Sequence, residues 1–459
     1  MKYVSTRSHS KTSTFEEVFL KGLARDGGLF VPQELFKFNQ TEINSLKDLN
    51  YQDLATEIIF KFTGNFIDKN QLSKLIQKSY STFRHKNIID FSDVGEFKIM
   101  ELFHGPTLAF KDIAMQFIGN LYEYYLNKKQ TKINIIVATS GDTGAAAIDA
   151  LAGKKNLNIF VLHPHNKISS VQRKIMTTYG EKNVFNIAVK GNFDDCQNLV
   201  KSMFSDLEFS RSINMSGVNS INWARIIAQS VYYFYAYFKS KNNSELNFSV
   251  PTGNFGDIYA GYLAKKIGLP IGKLIVATNK NDILHRAISK GDYKIKKVEE
   301  TYSPSMDIQI ASNFERLLYD LNEKNSEKTH ENMKRIKNND YHLEEDTIKK
   351  INVDFLSERL SEDETLKEIR ETYNKNKYIL DPHTAIGLGV AKKLKINNCI
   401  VLATAHPAKF PDAIIKSINQ KTELPNELLH INNKKENFEI IDNSLEKIKE
   451  YINGSINEN

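Results

Sequence analysis

Residues 133–151 read INIIVATSGDTGAAAIDAL, and this stretch decides the fold. Ile133–Thr139 is a short apolar run rich in β-branched residues, which predicts a buried strand, and Thr143–Leu151 has the apolar spacing of a helix. The alternation continues downstream, with strands predicted at Leu157–Leu162, Val184–Val189, Leu246–Val250 and Lys273–Thr278 and helices at Ser169–Tyr179, Phe193–Phe204, Val218–Phe238 and Gly256–Ile267. Strands with two apolar faces, separated by helices, indicate an α/β fold with parallel sheets covered by helices.

Changes in apolar pattern and charge content along the sequence divide the chain into four parts. Residues 1–95 form a first unit without a catalytic pattern, which we interpret as a structural cap, and residues 96–289 carry the α/β core. Residues 290–380 are rich in charge and are predicted to be solvated helices and loops inserted into the core. The core resumes in residues 381–459, with a last buried strand at Asn398–Thr404 and a frayed tail.

Composition excludes several classes of protein. The 459 residues carry a net charge of only +7, spread along the chain, which is not the dense basic stripe of a nucleic-acid-binding protein. Cys196 and Cys399 form neither a disulfide framework nor a metal-ligand spacing. The first residues have no apolar signal-peptide core, and no apolar run reaches the length of a membrane span. We therefore expect a cytoplasmic protein without a metal, a membrane or a nucleic-acid partner.

A lysine stands at a break in the chain within the segment HGPTLAFKD, residues 104–112. Gly105 and Pro106 interrupt the chain just before an apolar-periodic run, so Lys111 is predicted near the start of a helix. The positive end of the helix dipole favours a neutral, nucleophilic amine, which can condense with an aldehyde. Most lysines near helix starts are solvated surface charges, so the interpretation depends on the other motifs.

Three polar loops follow predicted strands, at the end of the sheet where open α/β folds bind ligands. The loop Ala138–Gly144 (ATSGDTG) is suited to binding a carboxylate; the alternative is a plain turn that caps the following helix. Pro251–Asp257 (PTGNFGD) suits a phosphate but lacks the Gly-Lys-Ser/Thr of a Walker nucleotide loop. Ala403–Pro411 (ATAHPAKFP) brings together a hydroxyl, an imidazole and an amine, or is a surface loop.

A fourth polar segment, Asn219–Arg225 (NSINWAR), opens the long predicted helix. Amide, hydroxyl and guanidinium groups together at a helix start suit a phosphate dianion. The alternative is that Asn219 or Ser220 caps the helix and that Arg225 is structural.

Together and in this order, these segments resemble the threonine synthase family of pyridoxal-phosphate enzymes, within the fold type II (tryptophan synthase β-like) group. The resemblance covers nearly the whole chain, beginning at Gly22–Pro32 (GLARDGGLFVP), and is closest in kind to the larger microbial and fungal-type branch. It implies parallel sheets covered by helices, an N-terminal extra unit and a helical insertion.

The resemblance also implies roles for individual residues. Lys111 is the catalytic residue and binds pyridoxal 5'-phosphate as a Schiff base. The other cofactor contacts implied are Asp142, Gly253, Asn254, Phe255, Gly256, Asp257 and Thr404. Thr404 faces the pyridine nitrogen, and because a hydroxyl does not pair with a pyridinium as a carboxylate would, the ring is expected to stay neutral. Relatives in the wider fold group often have Asn at the position of Asp142, which leaves the protonation of this carboxyl group open.

The implied substrate contacts fall into two groups. Those for the substrate carboxylate are Thr139, Ser140, Gly141 and Thr143, and those for its phosphate are Asn219, Ser220, Arg225 and Lys409. The implied reaction converts O-phospho-L-homoserine and water to L-threonine and phosphate by γ-elimination and β-addition. A monomer or homodimer is expected.

Other functions share these motifs. A phospho-lyase would use the same cofactor and lysine but end at 2-oxobutyrate and ammonia, and no motif decides between the two. A serine/threonine dehydratase would not need Arg225 and its neighbours to bind a phosphate. A non-catalytic binding module on the same fold is disfavoured by the intact Lys111 and both glycine loops.

Overall fold

The computed structural model describes residues 1–240 and 245–457. The N-terminal part contains a three-stranded antiparallel sheet in which β1 lies between β2 and β3. Its elements are β1 (Tyr3–Ser5), β2 (Ser8–Ser13), α1 (Phe15–Lys21), β3 (Phe30–Pro32), α2 (Gln40–Leu46), α3 (Tyr51–Thr63) and α4 (Lys69–Tyr80). Helices α1 and α2 begin at capping boxes formed by Thr14 with Glu17 and by Asn39 with Glu42.

A five-stranded parallel sheet has the order β14-β8-β7-β6-β9. Its strands are β6 (Ile133–Ala138), β7 (Leu157–Pro164), β8 (Val184–Lys190), β9 (Met215–Ser216) and β14 (Glu439–Asp442). The helices that belong to this half are α5 (Lys111–Lys129), α6 (Asp142–Leu151), α7 (Ser170–Thr177), α8 (Phe193–Ser205), α9 (Leu207–Ser212), α10 (Trp223–Lys239) and α19 (Leu445–Asn457).

A six-stranded sheet has the order β12-β11-β10-β13-β5-β4, and all neighbours are parallel except β4 and β5. Its strands are β4 (Asp90–Val94), β5 (Phe97–Glu101), β10 (Asn247–Pro251), β11 (Leu274–Thr278), β12 (Phe355–Arg359) and β13 (Cys399–Ala403). The associated helices are α11 (Gly256–Lys266), α12 (Ile283–Lys290), α13 (Phe314–Leu321), α14 (Ser326–Lys337), α15 (Glu345–Asp354), α16 (Glu362–Asn376), α17 (Pro382–Lys393) and α18 (Pro411–Ile418). The predicted α/β fold with parallel sheets is confirmed.

The core lies around α5 and α10, which pack against each other and against the N-terminal helices. Helix α10 is mostly apolar and is buried on every face from Trp223 to Tyr237, and Trp223, Tyr232 and Phe234 are fully buried in it. A helix with this pattern is stable only when other elements surround it, which explains why the N-terminal unit covers it.

Three segments differ from the expectations drawn from sequence. The charged segment 290–380 is not only solvated helix and loop, because it supplies β12 to the large sheet and buries Arg316 completely. Helix α10 begins at Trp223 and not at Val218, because the Asn222 side chain accepts the backbone N–H of Ala224. The frayed tail is wrong for residues 453–457, which continue α19, while residues 458–459 lie outside the described residues.

Helix α19 packs against the five-stranded sheet. Ile448 and Ile452 are fully buried, one turn apart on the same face. Across residues 1–240 and 245–457, none of the helices combines the length and the apolar character needed to cross a membrane.

Candidate active site

A cavity lies where β6, β10 and β13 end, between the two parallel sheets. Parallel strands expose this edge to ligands because the loops that follow the strands carry free backbone groups and helix N-termini. The cavity is lined by Phe110, Lys111, Asp142, Thr143, Ser220, Arg225, Gln229, Pro251, Thr252, Gly253, Asn254, Phe255, Gly256, Asp257, Ser305, Met306, His383 and Thr404.

The turn before α5 fixes the position of Lys111, which is the first residue of that helix. Asp112 accepts hydrogen bonds from the Thr107 backbone N–H (2.8 Å) and from its hydroxyl (2.5 Å). A Cβ at Gly105 would lie 2.4 Å from the Cβ of Asp112, so the turn closes only with glycine there. The sequence-based prediction that Lys111 begins a helix is confirmed.

The surroundings of Lys111 favour the neutral form of its amine. Burial lowers the pKa of this amine, the nearby carboxylate of Asp142 opposes that effect, and the cations Lys409 and Arg225 lower the pKa further. The net result is a lowered pKa. A neutral amine is the form that attacks an aldehyde and accepts a proton.

Asp142 is a buried carboxylate between the side-chain nitrogens of Lys111 and Lys409. Its carboxylate lies 3.3 Å from Lys111 Nζ and 2.5 Å from Lys409 Nζ, and it accepts hydrogen bonds from Gln172 (2.9 Å) and Ser305 (3.0 Å). Burial raises the pKa of Asp142, but Lys409, Lys111 and His383 outweigh burial and hold that pKa well below its usual range. In the cofactor-free protein, the direction of this pKa shift favours the ionised form of Asp142.

Two residues that the sequence analysis missed adjoin this carboxylate. Ser305 donates to Asp142, and its hydroxyl also lies 3.4 Å from Lys111 Nζ. The Ser305 backbone N–H donates to His383 Nε2 (3.3 Å), whose Nδ1 contacts Asp381 at 2.8 Å. Neither residue lies in a glycine loop, and Ser305 comes from the charged segment 290–380, so local pattern gave no signal for them.

The loop Pro251–Asp257 connects β10 to α11. Phe255 has a φ of +62°, and a Cβ at Gly253 would lie only 2.6 Å from the Ser305 carbonyl oxygen. The loop is therefore folded tightly against residues 305–306 and presents backbone N–H groups at the start of α11. This arrangement is suited to a phosphate.

Asp257, the last residue of this loop, is buried against two tyrosines. Tyr232 donates to its Oδ1, as does Tyr233 at 3.0 Å. Burial raises the pKa of Asp257 to about 6, although both tyrosines, Lys111 and Arg225 favour the ionised form.

Arg225 is a buried cation, and within residues 1–240 and 245–457 no carboxylate forms an ion pair with it. Its Nε and Nη1 are buried and have no hydrogen-bond partner among the described residues. Burial lowers its pKa to about 10, so the guanidinium remains charged at neutral pH. A buried, charged donor without a partner is costly, and in a ligand cavity it indicates an anionic ligand.

A brace formed by Asn313 and Arg316 joins the loops around the cavity. The Asn313 side chain donates to the carbonyl oxygens of Ser220 (3.3 Å) and Asn254 (3.1 Å). Arg316 is fully buried, donates to Asn313, and also binds the carbonyl oxygens of Ile221 (2.7 Å) and Phe30 (3.1 Å). The brace therefore ties the N-terminal sheet to both loops, which no local sequence pattern reveals.

Most residues singled out from the sequence line the cavity, but five do not: Thr139, Ser140, Gly141, Asn219 and Lys409. The Thr139 hydroxyl accepts the backbone N–H groups of Gly141 and Gly144, both at 2.9 Å, and so shapes the loop from inside. Lys409 is fully buried and binds Asp142 and the Thr107 carbonyl oxygen (2.9 Å). Asn219 is exposed and does not cap α10.

Three family models match this chain. "Pyridoxal-phosphate dependent enzyme" matches residues 96–404, "Threonine synthase N terminus" residues 2–80, and "Threonine synthase, C-terminal" residues 384–452. The threonine synthase of Pseudomonas aeruginosa is 43% identical and covers 98% of both chains. The chain belongs to the threonine synthase family. The threonine synthase of Saccharomyces cerevisiae is also 43% identical, over 98% of this chain and 97% of its own.

Solved structures of the family have the same fold. A pyridoxal-phosphate-bound threonine synthase from Brucella melitensis superposes with a TM-score of 0.95 at 44% identity, covering 99% of both chains. Yeast threonine synthase superposes with a TM-score of 0.93 at 41% identity, covering 100% of this chain and 99% of the yeast chain. The resemblance inferred from the sequence is confirmed, and so is the pyridoxal-phosphate cofactor.

The cavity fits this cofactor. It offers an amine with a lowered pKa at Lys111, a glycine loop at the start of α11, and the orphaned guanidinium of Arg225. Among the described residues, no group of histidine, cysteine and acidic side chains is arranged to hold a metal ion.

Proposed function

We propose that this threonine synthase family member converts O-phospho-L-homoserine and water to L-threonine and phosphate. The observation that carries the proposal is that one cavity is lined by Lys111, an amine with a lowered pKa, and by Arg225, whose buried Nε and Nη1 have no hydrogen-bond partner among the described residues. The relatives named threonine synthase, 41–43% identical over at least 90% of this chain, favour this reaction over the phospho-lyase and the non-catalytic module.

The cofactor would be held by three parts of the cavity. Lys111 would bind its aldehyde carbon, and the backbone of the 253–257 loop (Gly253, Asn254, Phe255, Gly256, Asp257) would hold its phosphate. Thr404, which follows β13, would face the ring nitrogen, and the Asp142 side of the cavity would face the ring hydroxyl. When bound, pyridoxal phosphate withdraws electrons from the substrate and so stabilises negative charge beside the reacting carbons.

The substrate would be held by its two anionic ends. In the loop Ser140–Thr143, which leads into the N-terminus of α6, Asp142 and Thr143 line the cavity, and the Thr143 end of the loop would take the carboxylate. Arg225 and Ser220 would take the phosphate, which supplies the missing partner for the buried guanidinium. We assign Lys409 to Asp142 instead of to the substrate phosphate, because its ammonium group is fully buried against that carboxylate.

Lys111 Nζ would carry the protons of the reaction. As a neutral amine it takes the α-proton, and it then serves the removal of the β-proton and the protonation of the γ-carbon after phosphate leaves. Water adds at the β-carbon to complete threonine. One amine within reach of three adjacent carbons uses proximity in place of several separate acids and bases. Asp142 keeps a negative charge beside this amine, and Ser305 orients that carboxylate.

Four further expectations remain part of the proposal. We propose the division of the chain at residues 95, 289 and 380, a cytoplasmic location, a monomeric or homodimeric state, and no nucleic-acid partner.

The test is a product assay on purified protein loaded with pyridoxal phosphate. Incubation with O-phospho-L-homoserine is expected to release phosphate and threonine in equal amounts. Phosphate accompanied by 2-oxobutyrate instead of threonine would contradict the proposed reaction while leaving the cofactor assignment intact. Absence of phosphate release would contradict the enzyme assignment.

A further inference from the structure

A second cavity, of about 410 Å³, lies beside the chain segments that follow β5 and β13 and shares no lining residue with the first. Its polar side is formed by Arg84, His104 and His406, and its apolar side by Phe103, Ile379 and Pro425. His104 and His406 belong to the segments HGPTLAFKD and ATAHPAKFP, but neither lines the catalytic cavity. The proposed reaction therefore leaves these two histidines without a role.

Arg84 is the one guanidinium in this cavity, and no carboxylate among the described residues lies within ion-pair distance of it. Its Nη2 donates to the Phe103 carbonyl oxygen (2.9 Å). Burial lowers its pKa, and Asp112, Glu427 and Asp149 oppose this only from longer range. A partly buried guanidinium facing a cavity without a contacting carboxylate is suited to an external anion.

The acidic residue in this cavity is already satisfied. Glu101 accepts hydrogen bonds from Ser92 (2.7 Å) and Tyr378 (2.8 Å), and its second oxygen contacts His104 Nε2 at 2.9 Å. Both of its oxygens are therefore engaged within the protein, which leaves little capacity to bind an ammonium ligand. This arrangement disfavours a zwitterionic amino acid as the occupant.

His406 adds a fixed neutral donor. Its Nδ1 accepts the backbone N–H of Ala408 (3.2 Å), so the ring hydrogen must reside on Nε2. Burial lowers the pKa of His406 to about 4, and Arg84 and His104 act in the same direction, so the ring is neutral at physiological pH.

We propose that this second cavity binds a small carboxylate, with its anionic head on Arg84 and His406 and its apolar tail against Phe103, Ile379 and Pro425. The size of the cavity is typical of small-molecule sites, and so is its combination of a guanidinium, a carboxylate already bonded within the protein and an apolar wall. The loop after β13 forms a wall of both cavities, because Thr404 lines the first while His406 and Pro407 line the second. A ligand on His406 would therefore contact the segment that also carries Lys409.

The test is calorimetric titration of the cofactor-loaded protein with sodium butyrate, without substrate, so that the result is independent of the proposed reaction. Butyrate has no amine and cannot react at the catalytic cavity. Binding is expected in the unmodified protein, and at least tenfold weaker binding in Arg84→Gln. The matched control is Arg225→Gln, which removes the guanidinium of the catalytic cavity and is expected to retain butyrate binding.

A second variant tests the cavity without altering a charge. Ile379 is only partly buried, and Ile379→Trp is expected to fill the apolar side and abolish butyrate binding. Binding that survives both Arg84→Gln and Ile379→Trp, or that is lost in Arg225→Gln, would overturn the proposal. Absence of butyrate binding to the unmodified protein, or tighter Arg84-dependent binding of inorganic phosphate, would also overturn it.

Discussion

Arg225→Met is expected to make the protein more stable and less active at the same time. Methionine has a similar length and no polar atoms, so it fills the space of the buried side chain without leaving a cavity. The substitution removes two buried nitrogens, Nε and Nη1, that have no hydrogen-bond partner in the part of the substrate-free chain that the structure describes. Each such group costs about 1–3 kcal/mol.

Lost packing of the guanidinium offsets part of this gain, so the free energy of unfolding should rise by about 1–3 kcal/mol. This corresponds to an increase of a few degrees in the melting temperature of the substrate-free holoenzyme. In the reaction, two charge-assisted hydrogen bonds to phosphate are lost at about 1.5–3 kcal/mol each, so kcat/KM should fall about 10²–10⁴-fold.

Calorimetry and a phosphate-release assay on the same preparation measure both effects. Arg211→Met is the matched control, because Arg211 is exposed on α9 and should change neither quantity appreciably. A melting temperature that falls by several degrees, or a kcat/KM within about threefold of the unmodified protein, would refute the reasoning about Arg225.

Three further predictions concern residues around the cavity. Because the pKa of Asp257 is raised to about 6, the folded protein binds more protons than the unfolded chain between about pH 4 and 6 and loses stability as the pH rises through this range. Asp257→Asn should therefore raise the melting temperature of the cofactor-free protein more at pH 8 than at pH 4. An equal shift at both pH values would contradict this reasoning. Arg316→Lys should weaken cofactor binding about tenfold because it removes the guanidinium contacts of the brace, and the fluorescence of the single tryptophan, Trp223, whose ring lies 5.3 Å from that guanidinium, measures the affinity. The control Arg335→Lys changes an exposed arginine and should leave the affinity unchanged. Equal affinities in the two variants would count against the brace. Gly253→Ala should release the cofactor and lower the melting temperature, because the new Cβ would lie 2.6 Å from the Ser305 carbonyl oxygen. The control is Gly454→Ala, where a Cβ would meet no neighbouring atom within 4 Å. A stable Gly253→Ala protein that retains the cofactor would contradict the tight packing of the loop.

The parts of the fold that could be predicted are those in which local pattern and final structure agree. Ile133–Ala138 is apolar on both faces and lies inside a parallel sheet, and Lys111 begins a helix where Gly105 and Pro106 break the chain. Strand β14 was not predicted because it pairs at the sheet edge, where half of its residues are exposed. Such strands depend on a partner from elsewhere in the chain, which a single window of sequence does not contain.

The cavity itself was predictable where the ligand-facing groups belong to glycine loops, as in Pro251–Asp257. It was not predictable where the contact is made across the fold. Ser305 reaches Asp142 over 163 positions, and Arg316 reaches Phe30 over 286 positions. For Lys409, a family motif was present but predicted a different contact: its ammonium group is buried against Asp142, which the loop sequence did not indicate.

The central claim is that Lys111 is the amine that binds the cofactor and moves the protons. The most direct measurement is borohydride reduction of the cofactor-loaded protein, followed by peptide mass spectrometry and by a threonine assay of Lys111→Ala. The account predicts that the cofactor mass is found on the peptide containing Lys111, and that Lys111→Ala forms no threonine. Cofactor mass on another lysine, or threonine formation by Lys111→Ala at the rate of the unmodified protein, would contradict it.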